Sequence, residues 1–219
     1  MSIDRYEAER EDAYDEFVSS LAEELYEEHR DQAIDEFVIE RLQSYYHSNP
    51  LIATKAVNFL ILSAERTSSD PTASLLYSAI STEVILKSVI LKPIVSGLVH
   101  SESVAELIST LLVKQAGIDR FKELIFKILE DNINLPGGAA SYCREDSKAS
   151  LWKEREKIQV LRNNIAHQAN TCSVQDAELS YQVAMAFFGL TEKLINSLGF
   201  HFDSDCKITG GQPGQASFF

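Results

Sequence analysis

Three residue types that suit phosphate chemistry lie within six positions in the last third of the chain. The segment RNNIAH, residues 162–167, contains Arg162, Asn163 and His167. An arginine carries a permanent planar cation that binds phosphate oxygens in pairs. A histidine imidazole can accept or donate a proton near neutral pH. A cation, an amide and an imidazole at this spacing would together suit the cleavage of a phosphodiester bond.

The local geometry decides whether these side chains can act together. Asn163 and His167 are four residues apart and share one face of a helix, whereas Arg162 lies about 140° from His167 around a regular helix. The two would converge only where the helix ends or bends, and a turn is predicted at residues 171–173. A cation near the end of a helix also stabilises its free carbonyl groups, and the spacing alone favours this structural role.

The composition predicts an all-α fold. The 219 residues include only 9 glycines and 5 prolines, and 45% of them are apolar, which is enough to form a core. Hydrophobic periodicity, together with turn residues, predicts the helices. They cover residues 3–47, as one helix or two, and then 51–66, 71–91, 94–99, 101–117, 119–131, 148–168 and 174–198. We therefore predict an acidic helical extension over 1–48, a helical bundle over 49–200 and a flexible tail over 201–219.

Particular residues mark the predicted helix ends. Asp70 is a candidate N-cap before a proline at the first helical position, and Ser173 with Asp176 resembles a capping box. Pro50 is expected to begin the second helix. Pro93 is expected to kink or end the central helix, because proline removes a backbone hydrogen bond within a helix.

The charge is concentrated in one segment. Residues 1–50 carry 15 acidic and 4 basic residues, a net charge of −11, whereas the whole chain carries −13. The remaining body is therefore nearly neutral and need not repel RNA. The acidic segment is interpreted as the solvated face of a helix that packs on the body or on another chain. One alternative is an acidic shield that covers a basic site or binds a basic partner; the other is a disordered tail, against which the aromatic residues argue.

The sequence predicts neither a cofactor nor a metal site. The three cysteines, Cys143, Cys172 and Cys206, show no metal-binding spacing, and an odd, scattered set fits a reducing compartment. No histidine is paired at metal-ligand spacing, and no glycine-rich phosphate loop is present. The polar, acidic N-terminus does not resemble a signal peptide, so we expect a cytoplasmic protein without a membrane partner.

Glu83 and Lys87 interrupt the most apolar helix four residues apart. They can form an ion pair at the helix edge. Alternatively, Glu83 faces Arg162 or His167 and orients one of them. The charged residues in this stretch also predict a buried core helix rather than a membrane span.

The motif at residues 162–167 resembles the Arg-x4–6-His motif of HEPN domains, in its RNxxxH form. It lies between the last two long helices, where that family carries it, and residues 78–87 are similar to the second core helix of the family. The likeness covers roughly residues 50–200 and implies a HEPN-like antiparallel helical bundle.

This resemblance implies a metal-independent endoribonuclease that acts as a homodimer. Arg162 would bind the scissile phosphate, and His167 would be the general acid or base. Asn163 would orient the phosphate or the imidazole, with Glu83 and Lys87 as supporting residues. The resemblance also implies a toxin or anti-phage effector with RNA as substrate and an antitoxin or defence protein as a possible partner. Alanine at position 169 stands where a subgroup carries a tyrosine that its antitoxin modifies, which argues against that control here.

Two other functions remain open. The chain could be a catalytically inactive module of the same fold that binds a protein or a nucleotide. It could also be a helical adaptor protein in which Arg162 and His167 only cap a helix. An open cleft between two copies with both residues beside it would favour catalysis, whereas a buried His167 would favour the cap.

Overall fold

The computed structural model describes residues 19–20, 39–98, 117–135 and 137–210. The chain divides into two compact units, residues 1–41 and 42–219. The described residues of the first unit, 19–20 and 39–41, are helical. The division falls before the predicted boundary at residue 48, and Tyr46 belongs to the second unit, where its hydroxyl bonds Val89 and its ring contacts Phe200. The predicted helix over 101–117 and most of the acidic helix lie outside the described residues.

The described part of the second unit is predominantly helical, as the composition predicted. Its helices are α1 (39–48, which begins in the first unit), α2 (Thr54–Arg66), α3 (Pro71–Val84), α4 (Lys92–Leu98), α5 (Lys122–Asn132), α6 (Leu151–Gln168) and α7 (Val174–Ser197). A π-helical segment, Ile85–Leu91, joins α3 to α4, and a 3-10 turn, Ile118–Phe121, precedes α5.

Two of the predicted helix starts are confirmed and one is wrong. Asp70 accepts a hydrogen bond from the backbone N–H of Ala73 at 3.0 Å. The hydroxyl oxygen of Ser173 likewise accepts one from the N–H of Asp176 at 3.1 Å. Pro50 does not begin a helix, because the chain turns over residues 50–53 and α2 starts at Thr54.

Pro93 does not end the central helix, which continues into α4. The chain widens into the π-helical segment just before the proline, and the N–H of Lys92 donates to the carbonyl of Lys87. A proline cannot donate to the carbonyl four residues earlier, which here belongs to Val89. The buried hydroxyl of Tyr46 donates to that carbonyl at 2.7 Å instead. A side chain from α1 therefore supplies a donor to the carbonyl group that Pro93 cannot serve.

Buried serines bring α2, α3 and α7 close together. The hydroxyls of Ser63 and Ser74 lie 3.0 Å apart between α2 and α3, and those of Ser78 and Ser180 lie 2.6 Å apart between α3 and α7. Further along α3, the hydroxyl of Ser81 donates to a carbonyl near the start of α2 at 2.8 Å, so α2 and α3 are antiparallel. Small side chains allow close helix approach, and their hydroxyls are satisfied by one another or by carbonyl groups.

The apolar core lies where the π-helical segment and α5, α6 and α7 meet. Trp152 of α6 is at its centre, with its ring edge-to-face with Phe126 and Phe187. Only 2% of its surface is exposed. The first half of α6 is thereby fixed in the core.

Part of the predicted flexible tail forms a hairpin instead. Phe200–Phe202 (β1) pairs antiparallel with Ile208–Gly210 (β2). Ile208 is buried, and its N–H donates to the carbonyl of Pro50 at 2.9 Å. Residues 211–219 of the predicted tail lie outside the described residues.

The stretch Pro71–Ser96 has a mean hydropathy of 1.5 in its most apolar window and is long enough to cross a bilayer. The core helix of a soluble protein passes the same test, and 61% of that window is buried inside the fold. The stretch packs against α2 and α7, which fits the prediction of a buried core helix.

Candidate functional site

The motif residues occupy the last two turns of α6, where the helix passes beyond the densest part of the core. Arg162 is four residues from the buried Ile158 and seven from the buried Arg155, so it lies on the inward face and is half-buried. Asn163 and His167 are exposed. The helix continues to Gln168, so Arg162 and His167 point away from each other within one chain.

Asn163 lies between the other two around the helix and is held by two donors. Its side-chain oxygen Oδ1 accepts from Nη1 of Arg162 at 3.2 Å and from Nε2 of Gln159 at 3.0 Å. Gln159 was not among the residues predicted from the sequence. Its signal is the four-residue spacing to Asn163, which places the two amides one helical turn apart.

The guanidinium of Arg162 differs from those of two nearby arginines in its interaction partners. Arg144 forms a two-pronged ion pair with Glu154, through Nε to Oε2 at 2.8 Å and Nη2 to Oε1 at 3.0 Å. Arg155 pairs with Asp119, and its guanidinium carbon Cζ lies 5.1 Å from the centre of the Trp152 ring. Within the described part of the chain, Arg162 forms no ion pair with a carboxylate, and its charge is available to an anion.

His167 makes no hydrogen bond or ion pair to any described residue. The end of α6 is closed by the backbone of Ala169, which adopts the left-handed conformation with φ of 54° and donates its N–H to the carbonyl of Ile165 at 3.2 Å. The imidazole therefore does not cap the last carbonyls by hydrogen bonding, although a positive charge there would still interact favourably with the helix end.

The end of α6 lies beside the first turns of α3 and α7. The N–H of Cys172, in the α6–α7 loop, donates to Oγ1 of Thr72 in α3 at 3.3 Å. The nearby carboxylates of Asp70 and Asp176 are already engaged in the helix caps, and Asp176 is also 4.0 Å from Nζ of Lys157. These acidic groups make the site less positive than the motif alone suggests.

Glu83 forms the ion pair with Lys87 that the simpler interpretation predicted. Their charged groups are 2.6 Å apart, and 39% of the Glu83 side chain and 10% of the Lys87 side chain are exposed. Glu83 also lines a small groove between α3 and α6 with Arg155 and Gln159. Glu83 therefore lies beside the part of α6 that precedes the motif, and the structure shows no contact that would let it orient Arg162 or His167.

The long loop before α6 is tied to the helix by charge. The side chain of Glu154, only 9% exposed, accepts from Arg144 and from the hydroxyl of Ser147 at 2.8 Å. The hydrogen bonds from Arg144 are the largest cause that holds the pKa of Glu154 below its usual value. The same contact raises the pKa of Arg144. These residues fix the base of α6 and take no part in the exposed motif.

Among the described residues, no group of three His, Cys, Asp or Glu side chains is arranged to hold a metal ion. Comparison with protein-family models, with curated proteins and with solved structures finds no match for this chain. The interpretation of the site therefore depends on its own residues.

Proposed function

We propose that this chain is a metal-independent endoribonuclease of the HEPN type, which acts as a cytoplasmic toxin or anti-phage effector. The observation that supports this most strongly is the guanidinium of Arg162, which has no carboxylate partner in the described residues and lies within two helical turns of an exposed imidazole. A structural arginine in a chain with 33 acidic residues would be expected to pair, as Arg144 and Arg155 do. The lack of such a pair favours an external anion as the ligand.

In the proposed reaction the substrate supplies the nucleophile. The ribose 2′-oxygen attacks phosphorus as the bond to the 5′-oxygen breaks, which leaves a 2′,3′-cyclic phosphate and a 5′-hydroxyl. His167 accepts the proton from the 2′-hydroxyl or donates one to the leaving 5′-oxygen. Arg162 neutralises the charge that develops on the phosphate oxygens, and Asn163 donates to one of them. Glu83 and Lys87 have no direct role in these steps.

A second copy of the chain completes the site in this proposal. Within one chain Arg162 and His167 point about 140° apart on α6, which separates the phosphate-binding group from the proton-transfer group. A two-fold arrangement would place the His167 of one copy near the Arg162 of the other. Each of the two sites would then contain one Arg162 and one His167, contributed by different copies.

The direct test compares the parent with Arg162→Ala and His167→Ala on total RNA, with and without EDTA. We expect cleavage by the parent in both conditions, products with cyclic phosphate ends, and a loss of at least about 100-fold in each variant. Arg66→Ala, which removes an exposed arginine at the end of α2, is the matched control and should cleave like the parent. Cleavage by both motif variants at the parental rate would refute the proposal.

Mixing the two inactive variants tests the shared site. If each site takes Arg162 from one copy and His167 from the other, a mixed dimer has one intact site and one that lacks both residues. After random exchange of subunits, about one quarter of the parental activity should return. No recovery after confirmed exchange would place both residues of a site on one chain.

The divergence of Arg162 and His167 favours a second candidate, a non-catalytic module of the same fold. The net charge of −13 also disfavours tight binding of long RNA. In that case the parent would bind a nucleotide or a protein through Arg162 without any cleavage. Fluorescence anisotropy with a labelled nucleotide, on the parent and on Arg162→Ala, measures this binding. Together with the cleavage assay it distinguishes a binding module from a ribonuclease.

A further inference from the structure

The side-chain amide of Asn163 has one defined orientation. Its oxygen accepts from Gln159 at 3.0 Å and from Arg162 at 3.2 Å, which occupies both of its lone pairs. If the amide were reversed, its NH₂ group would face the NH₂ group of Gln159 and the guanidinium of Arg162. The guanidinium of Arg162 can only donate, so its contact disfavours the reversed amide, and Gln159 meets the same oxygen with its own NH₂ group.

The two N–H bonds of Asn163 are consequently directed away from these donors. The residue is exposed, and within the described residues its nitrogen Nδ2 makes no hydrogen bond. A group that only donates is complementary to a ligand that only accepts, and a phosphodiester has two such non-bridging oxygens. Asn163 also shares its helix face with His167, so the donors lie on the side of the imidazole.

Gln159 is the residue that can fix this orientation without binding the substrate itself. It is half-buried, one helical turn before Asn163, and lines the groove that also contains Glu83 and Arg155. Arg162 would be drawn to the phosphate when a substrate binds, which would weaken its contact with Asn163. Gln159 is half-buried and approaches from one helical turn away, so it would remain beside Oδ1 of Asn163 at that moment.

We propose that Gln159 is a positioning residue, which turns the NH₂ group of Asn163 toward a phosphodiester beside His167. This inference rests on the proposed ribonuclease function for its substrate, but the orientation of Asn163 can be measured without catalysis. The ligand class is single-stranded RNA, of which a phosphate oxygen accepts from Asn163.

The test uses Gln159→Glu, which has the same shape but presents only acceptors to Asn163. The amide of Asn163 should then reverse, with its NH₂ group toward the new carboxylate and its oxygen toward the phosphate. The matched control is Gln168→Glu, which adds the same charge at an exposed position of α6 that makes no hydrogen bond to Asn163. A second variant, Gln159→Leu, removes the donor without adding charge.

The first readout is the NMR signal of the Asn163 NH₂ group during titration with a 2′-O-methyl oligoribonucleotide, which cannot be cleaved by this mechanism. We expect the signal to move on binding in the parent and in Gln168→Glu, and to move less than half as far in both Gln159 variants. Equal movement in all four proteins would overturn the role of Gln159, whether or not the parent cleaves RNA.

The second readout is the kinetics on a cleavable oligoribonucleotide. A positioning role predicts that kcat falls about tenfold in Gln159→Leu with KM within about twofold, since the hydrogen bond from Asn163 would act chiefly in the transition state. If His167→Ala abolishes cleavage while Gln159→Leu retains the parental kcat, only the role of Gln159 is refuted. If the parent does not cleave at all, the ribonuclease proposal falls and the NMR readout alone decides the role of Gln159.

Discussion

Arg155 and Arg162 lie seven residues apart on the same face of α6, yet their surroundings differ. Arg155 is 6% exposed, pairs with Asp119 and stacks near Trp152. Arg162 is half-buried and bonds only the neutral amide of Asn163 among the described residues. In the first half of α6, residues 151–159, Glu154 and Arg155 therefore hold the fold, whereas in the second half, residues 160–168, the charge of Arg162 is available.

This contrast explains how one helix can both stabilise the fold and leave a cation available to an external anion. A buried ion pair needs its partners, because removing one leaves an uncompensated charge. A cation without a carboxylate partner can be removed with little loss of stability and can bind an external anion. Substitutions in the two halves should therefore separate stability from activity. The four substitutions below, one of which is at the residue that closes α6, are ordered by the expected change in the free energy of unfolding.

Trp152→Ala should have the largest effect on stability. It removes the ring that packs against Phe126 and Phe187 at the centre of the core. We expect a loss of about 3–5 kcal/mol in the free energy of unfolding, measured by urea denaturation. Met185→Ala, at an exposed apolar residue of α7, is the control and should cost far less. A loss below that of the control would contradict the assignment of Trp152 to the core.

Glu154→Gln should have the next largest effect, because it leaves the largely buried Arg144 without its carboxylate. We expect a loss of about 2–3 kcal/mol near neutral pH. The pKa of Glu154 is lowered in the folded state, so its contribution is complete above its usual value of 4.5 and is lost as the pH falls through the lower, folded value.

The pH dependence sharpens this prediction. The difference in unfolding free energy between the parent and Glu154→Gln should be constant above about pH 5 and should shrink as the pH falls below 4.5. Urea denaturation of both proteins across this range measures it. A difference that grows toward low pH would show that the ion pair does not stabilise the fold.

Ala169→Gly should raise stability by about 0.5–1 kcal/mol, since glycine adopts the left-handed conformation without the steric cost of a side chain. Ala169 has φ of 54° at the end of α6. The melting temperature should therefore increase slightly. The same change at Ala166, which is inside the helix, should lower it, and a decrease at both positions would refute the assigned helix end.

Arg162→Ala should change the free energy of unfolding by no more than about 0.5 kcal/mol, although RNA cleavage should be lost. Parallel measurements of denaturation and of cleavage on one preparation test the separation directly. A loss of stability comparable to that of Glu154→Gln would show that Arg162 is a structural residue like Arg144.

Local sequence signals predicted several elements of the fold correctly. Asp70 and Ser173 fix helix starts through contacts within four residues, and both caps are present. The placement of the RNNIAH segment on a helix before a turn also follows from nearby residues. The ion pair of Glu83 with Lys87 depends only on their spacing along one helix.

Features that depend on distant residues were not predictable. The helix continues through Pro93, and Tyr46, 43 residues before Val89, supplies a donor to the carbonyl group that the proline cannot serve. The hairpin after α7 has strands of only three residues, and Ile208 is held by the backbone of Pro50. The helix was predicted to end just past His167, and α6 does end at Gln168, but it is helical through both motif residues, so Arg162 and His167 do not converge within one chain.

The hydrogen bond from Tyr46 to Val89 also determines where the acidic extension can be removed. A shortened chain that begins at residue 49 would lose Tyr46 and leave a buried carbonyl group without a donor. A chain that begins at Leu42 would keep this contact while discarding all 15 acidic and all 4 basic residues of positions 1–50. Only the longer of these two chains can show whether the acidic segment restrains RNA cleavage, because the shorter one would also disturb the central helix.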